Sequence, residues 1–243
     1  MSLAGPIGAF IISSRNMSQT DMDKLGSSRP TFYFDTHGEA NTDKTIELAR
    51  ARAEELGIRH IVVASETGLS ALKVVDSMPG LDLIVVSSAP GTRVEGSPIG
   101  DLKIGIPDEN ILRDLVKKGA RVVRGTDPFW NLSAHSQVTD TGKLGMMFYK
   151  VLCGGLHVCL TAVLEATDSG HLREGDETVA MAGSFVGLDT ALVARAANSV
   201  NFFRCLEVRE IICKPRNAHY TWPINYVDWR GDLGKYRRFA EPI

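Results

Sequence analysis

The sequence predicts an α/β domain built on a mostly parallel, doubly wound sheet with an antiparallel strand at one edge. Three observations carry this. Continuous apolar runs at His60–Ala64, Leu81–Ser87 and Glu177–Ala182 have the pattern of strands buried on both faces. Segments of helical period separate the first of these by short connections, so the order reads β-α-β-α-β with right-handed crossovers. With 44% apolar residues, the 243-residue chain can bury one sizeable core.

Residues 1–29 are irregular, rich in Ser, Met and Gly, and read as an arm ahead of a domain spanning residues 30–216. Regular structure begins with the β-type run Thr31–Phe34. The polar turn Asp35–Asn41 follows, and Thr42-Asp43 can cap a helix that runs to about Leu56. Ile46, Ala49, Ala53 and Leu56 recur on one face of it, and Gly57 ends it. After the strand His60–Ala64 come a turn at Ser65–Gly68, a helix over Leu69–Met78 and the strand Leu81–Ser87. The excursion Ala89–Pro107 is long for a plain connector. A helix from Asp108 to Lys118 leads to a fourth strand candidate, Ala120–Arg124. Gly142–Ala166 reads as helix interrupted at Gly154-Gly155, and the strand Glu177–Ala182 feeds the turn Gly183–Asp189. Leu206–Ile212 alternates apolar and polar residues, which places it at a sheet edge, with antiparallel pairing as the natural option.

Charge and composition exclude several function classes. The 27 basic and 29 acidic residues give a net charge of −2 and are spread along the chain, so there is no footprint for nucleic acid or an acidic membrane. Cys153, Cys159, Cys205 and Cys213 include no C-x-x-C pair, which fits free thiols in a reducing compartment. Met1–Ile12 lacks the features of a secretory signal, and a cytoplasmic location is expected. Met146–Leu164 is apolar over nearly the length of a membrane span, but Lys150, His157 and the Gly154-Gly155 break favour a buried helix. The six histidines form no metal set, and none of the nucleotide-loop, zinc-protease or dinucleotide motifs occurs. Gly183-Ser184-Phe185-Val186-Gly187 has the wrong spacing for a nucleophile elbow, so Ser184 reads as a turn hydroxyl.

The sharpest chemical signal is Ser65-Glu66-Thr67-Gly68-Leu69-Ser70 between a buried strand and a helix. A phosphate there would meet unpaired N–H groups, the positive end of the helix dipole and the hydroxyls of Ser65, Thr67 and Ser70, while Gly68 would let the backbone come close. Helix capping by the same hydroxyls is the plainer alternative. In a doubly wound sheet ligands sit at the carboxyl ends of strands, where the turn holding His37, Gly38, Asn41 and Thr42 also opens. Those four residues are candidates for the ligand's polar edge, against ordinary turn and cap chemistry. Asp189 and Thr190 read equally as a helix N-cap or as ligand contacts. The tail, residues 217–243, holds Tyr220, Trp222, Tyr226, Trp229, Tyr236 and Phe239, and is expected to pack on its own domain or on a neighbouring subunit of a homo-oligomer. Stacking of Trp222 or Trp229 on a bound ring is the sharper alternative.

The stretch Ile61–Val75, I-V-V-A-S-E-T-G-L-S-A-L-K-V-V, resembles the strand and T-G-x-S/T-A turn with which the pyruvate kinase C-terminal domain grips a phosphate of its allosteric sugar bisphosphate. Gly175–Gly183 is similar to that domain's later G-D-x-V strand and glycine-bearing turn. The run from Phe32 to about Pro215 resembles stand-alone proteins that carry this domain without the kinase barrel. Phe34, the Gly38–Thr42 turn, Ser65–Gly68, Ala182–Thr190 and Glu207–Pro215 carry the likeness. The resemblance implies a three-layer α/β/α domain whose last strand runs antiparallel. It further implies that the kinase active site, which belongs to the barrel, is absent. It points to a phosphorylated small molecule, flavin mononucleotide (FMN) above all, held by Ser65, Glu66, Thr67, Gly68, Ser70, His37, Gly38, Asn41, Thr42, Gly183, Ser184, Gly187, Asp189 and Thr190. Phe185 stands where a smaller, basic turn is expected. A flavin-dependent oxidoreductase and a cofactor-free structural or regulatory oligomer are the alternatives.

Overall fold

The computed structural model describes residues 25–95, 97, 100–129, 140–217, 231–232 and 234–240. The chain divides into two units, Met1–Pro30 and Thr31–Ile243. Within the first, residues 25–30 are irregular and exposed.

The second unit is an α/β fold. Its strands are β1 (Phe32–Phe34), β2 (His60–Ala64), β3 (Asp82–Ser88), the short pair β4 (Arg93–Val94) and β5 (Leu102–Lys103), β6 (Arg121–Gly125), β7 (Glu177–Ala182), β8 (Thr190–Arg195) and β9 (Glu207–Pro215). The helices are α1 (Thr42–Leu56), α2 (Leu69–Ser77), α3 (Glu109–Lys117), α4 (Asp140–Met147), α5 (Gly154–Asp168) and α6 (Phe202–Cys205). Seven strands form one sheet in the order β1-β9-β8-β7-β2-β3-β6, and β4 and β5 form a separate antiparallel pair.

The strands' alternation builds two cores. Ile61, Val63, Val85, Val179 and Met181 face Ile46 and Ala49 of α1, Ala71 and Val74 of α2, and Ile111 and Leu115 of α3. Val62, Ile84, Ala180 and Leu192 face Leu156, Cys159, Leu160 and Val163 of α5 on the other side. Burial on both faces is why these strands are apolar without a break. Helix α1 ends at Gly57, whose φ of 67° lets its N–H reach back to Ala53 and Glu54 carbonyls. The second long helix starts at Gly154 after a π-helical turn, Phe148–Leu152, and an extended Cys153. All four cysteines are free, and Cys153, Cys159 and Cys213 are buried. No helix among the described residues is long and apolar enough to cross a membrane.

Two expectations about the sheet need correction. The antiparallel strand does not lie at the edge: β8, inside the sheet, runs against both its neighbours, while β9 pairs in parallel with β1, itself an edge strand. The alternation read in Leu206–Ile212 is not matched by burial: the first residues of β9 are exposed and the later ones buried. Asp189 and Thr190 do not begin a helix. Thr190 opens β8, and the residue before it closes the turn from β7.

Neighbouring strands β2 and β7 set up a switch point. After β2 the chain crosses through α2 toward β3, and after β7 it turns the other way into β8. The carboxyl ends of these two strands are where such sheets open a crevice.

Candidate functional site

A cavity of about 230 Å³ lies at that switch point. Ala64, Ser65, Glu66, Thr67 and Ser70 line it from β2 and α2, and Gly183 to Gly187 line it from the turn after β7. Tyr149, Val158, Val94 and Tyr236 complete the wall. Among the predicted residues, Ser65, Glu66, Thr67, Ser70, Gly183, Ser184 and Gly187 therefore meet around one space. Gly68, His37, Gly38, Asn41, Thr42, Asp189 and Thr190 are not among the described lining residues.

Helix α2 begins with Gly68 as N-cap, at φ 82° and with no side chain to bond the first turn. Nearby hydroxyls substitute: Ser65 Oγ accepts from the Ala71 N–H at 3.3 Å, and Thr67 Oγ1 lies 3.5 Å from the Leu69 nitrogen. The capping alternative thus describes part of what Ser65 and Thr67 do. The N–H groups of Thr67, Gly68 and Ser70 have no acceptor among the described residues. Those donors, the helix dipole and three buried hydroxyls, Thr67, Ser70 and Ser184, make this end of the cavity suited to an anion.

The glycines do a different job from the one expected at Gly68. A Cβ there would overlap Ile111 Cγ2 of α3 and come within 3.3 Å of Ile106 Cγ2, so Gly68 is required by packing. Gly187, at φ 83°, sits against Glu39 and Thr42, where a Cβ would overlap the Glu39 Cα. Both are positions that only glycine occupies without strain.

Glu66 turns its carboxylate toward the protein. Oε2 accepts from Ser87 Oγ at 2.9 Å and from the N–H groups of Ser88 and Gly105 at 3.0 and 3.4 Å, and Oε1 accepts from Ser88 Oγ at 2.9 Å. The Glu66 carbonyl takes the Ile106 N–H at 2.8 Å. Ile106 is fully buried at φ 52°, a strained angle for a β-branched residue, so the excursion carrying β4 and β5 is docked tightly on the Ser65–Gly68 turn.

The remaining predicted residues hold the opposite wall. Fully buried Asp189 accepts through Oδ2 from the N–H groups of Gly38 at 2.9 Å and Ser184 at 3.2 Å, and through Oδ1 from the Thr190 hydroxyl at 2.9 Å. Burial raises its carboxyl above the usual range, and these donors together with the nearby His37 offset only part of that rise. His37 Nδ1 lies 3.0 Å from Ser184 Oγ. Thr42 Oγ1 accepts the Leu188 N–H at 3.0 Å, and Asn41 Nδ2 donates to the Thr36 carbonyl at 2.7 Å. Thr42 is thus inside α1 rather than its cap, and His37, Gly38 and Asp189 together fix the turn that presents Ser184.

Sequence reasoning missed the cavity's apolar side. Tyr149 comes from the π-helical turn, a rare element that is frequent at functional sites, and burial pushes its phenol strongly up. Phe185, Val186, Val94 and Val158 are the other apolar contributors, and Tyr236 arrives from the tail. Trp222 and Trp229 lie outside the described residues. No set of three His, Cys, Asp or Glu among the described residues is placed to hold a metal ion.

Residues 43–194 match the family model for the pyruvate kinase alpha/beta domain, which covers more than half of the chain and includes the α2 turn, the turn after β7 and most of the sheet. The chain belongs to the pyruvate kinase alpha/beta domain family.

Proposed function

We propose that this domain binds a phosphorylated small molecule, with its phosphate at the head of α2 and FMN as the candidate ligand. The observation that carries the reading is that the head of α2, with N–H groups that have no acceptor among the described residues, meets the hydroxyls of Thr67, Ser70 and Ser184 around one cavity at the switch point. The apolar wall of Val94, Val158, Phe185 and Val186, with Tyr149 and Tyr236, suits the body of a ring-bearing ligand. Its volume, about 230 Å³, is below the roughly 300–1,000 Å³ that encloses drug-sized ligands, so a nucleotide-sized molecule would place only part of itself inside. Glu66 is the only charged residue among the described lining residues, and its carboxylate is occupied by protein donors. Hydrogen bonds and the helix dipole, rather than an ion pair, would therefore hold the phosphate.

Calorimetry with FMN, riboflavin and inorganic phosphate tests this. FMN should bind at least about tenfold more tightly than riboflavin, and Thr67→Val should weaken FMN about fivefold through loss of one hydroxyl. Equal affinities for FMN and riboflavin, or no response to any phosphorylated compound, would reduce the α2 turn to a helix cap.

A further inference from the structure

The C-terminal 3-10 segment Gly234–Phe239 lies outside the matched family region, yet Tyr236 from it lines the cavity. Its ring is only 2% exposed, and its hydroxyl has no hydrogen-bond partner among the described residues. The hydroxyl is not sealed from water, so it is free to donate to a molecule that enters the cavity. The segment is also held in place. The Asp232 N–H donates to Glu39 Oε2 at 3.2 Å, Lys235 pairs with Glu39, Arg238 approaches Asp108 at 3.9 Å, Ala240 bridges Leu102, and Phe239 is buried in the core. Those contacts bring Tyr236 to the cavity wall that Phe185, Val186 and Val94 also line.

We infer that Tyr236 is a specificity-determining contact: its O–H donates a hydrogen bond to an acceptor of the bound ligand, so the tail is part of the binding site. The inference rests on the proposed ligand reading. It also narrows the ligand class, to phosphorylated molecules that carry a hydroxyl, carbonyl or ring-nitrogen acceptor in addition to the phosphate. Burial pushes the phenol up to about 12, so the proton is in place at neutral pH.

Tyr236→Phe removes the oxygen and keeps the ring, and it is measured in two ways on the full chain. In urea denaturation without ligand, the variant should be as stable as the wild type or more so. A clear fall would mean that the hydroxyl already bonds within the protein, and the inference would be overturned. In calorimetry, FMN should bind about fivefold or more weakly to the variant than to the wild type. A wild type that binds FMN with a Tyr236→Phe variant that binds it equally overturns this inference alone. A wild type that binds neither FMN nor inorganic phosphate overturns the reading of the site, and this inference with it.

Discussion

Replacing Gly68 with alanine separates a glycine kept for ligand approach from one kept for the fold. Two costs can be worked from the structure. Alanine at φ 82° must occupy the left-handed region, at about 1–2 kcal/mol. Its Cβ would also overlap Ile111 Cγ2, and pushing α3 away from a packed core costs about 1–3 kcal/mol more. The sum, about 2–5 kcal/mol, is a large part of the roughly 5–15 kcal/mol expected for a domain of this kind. With a urea slope of about 2–3 kcal/mol per molar, the denaturation midpoint should fall by about 0.7–2.5 M. Repeating the change in an Ile111→Ala background removes the methyl that is struck, so the penalty there should shrink to the backbone cost of about 1–2 kcal/mol. An equal penalty in both backgrounds would refute the steric account. A penalty below about 0.5 kcal/mol in the parent would refute the backbone account as well.

Three further outcomes are expected. Burial, with Asp127, Glu66 and Asp168 nearby, pushes Glu165 from 4.5 up to about 8, and its Oε2 is buried without a partner. A carboxyl raised on folding contributes stability at acid pH that is lost as pH rises through the folded value. From about pH 5 to about pH 9 the unscreened loss would be about 4 kcal/mol and, discounted for partial exposure, about 2 kcal/mol, so Glu165→Gln should flatten the urea midpoint against pH. Asp189→Asn sets an amide N–H against the Gly38 or Ser184 N–H, and should cost about 2–4 kcal/mol in denaturation while weakening FMN binding in calorimetry. Glu66→Gln should speed hydrogen exchange over residues 100–107 and lower stability by about 1–3 kcal/mol, because an amide cannot accept from all of the donors that converge on that carboxylate.

How much of this was legible follows from where each signal originates. Strands β2, β3 and β7 were readable because two buried faces leave no room for polar residues, and α1 was readable from one apolar stripe and its glycine stop. Strand β8 was not: Thr190-Ala-Leu-Val-Ala-Arg195 is short and half small residues, which suits helix as well as strand. The reason for its composition is tertiary, since α1 and α5 press on its two faces and leave space for Ala191 and Ala194. Strand direction was equally hidden, because burial sets composition and neighbours set orientation. At the site, the β2-turn-α2 signal is local and was visible. Whether a polar residue serves a ligand or a loop depends on partners far away in sequence, so the sequence left His37, Gly38, Asn41, Thr42, Asp189 and Thr190 open between ligand contact and turn or cap chemistry, and their hydrogen bonds here run within the wall. Tyr149 and Tyr236 carry no local mark at all, because long-range packing brings them to the cavity.

That division of labour bears on how the site would bind. Ser184 is presented by a turn locked from behind by Asp189, His37 and Thr42, and the α2 turn is clamped by Glu66 and Ile106, so the proposed anion end would be formed before any ligand arrives. Binding there costs little ordering entropy. The opposite side rests partly on Tyr236, whose segment is held by the buried Phe239, by the bridge from Ala240 to Leu102 and by the pairs of Lys235 with Glu39 and Arg238 with Asp108. A phosphate seat built from the matched family region, facing a wall contributed in part by a segment outside it, would fix where the phosphate goes while letting the remainder of the ligand vary. Affinity for the phosphate should then change little with the rest of the molecule, and discrimination between ligands should fall mainly on residues contributed by the tail.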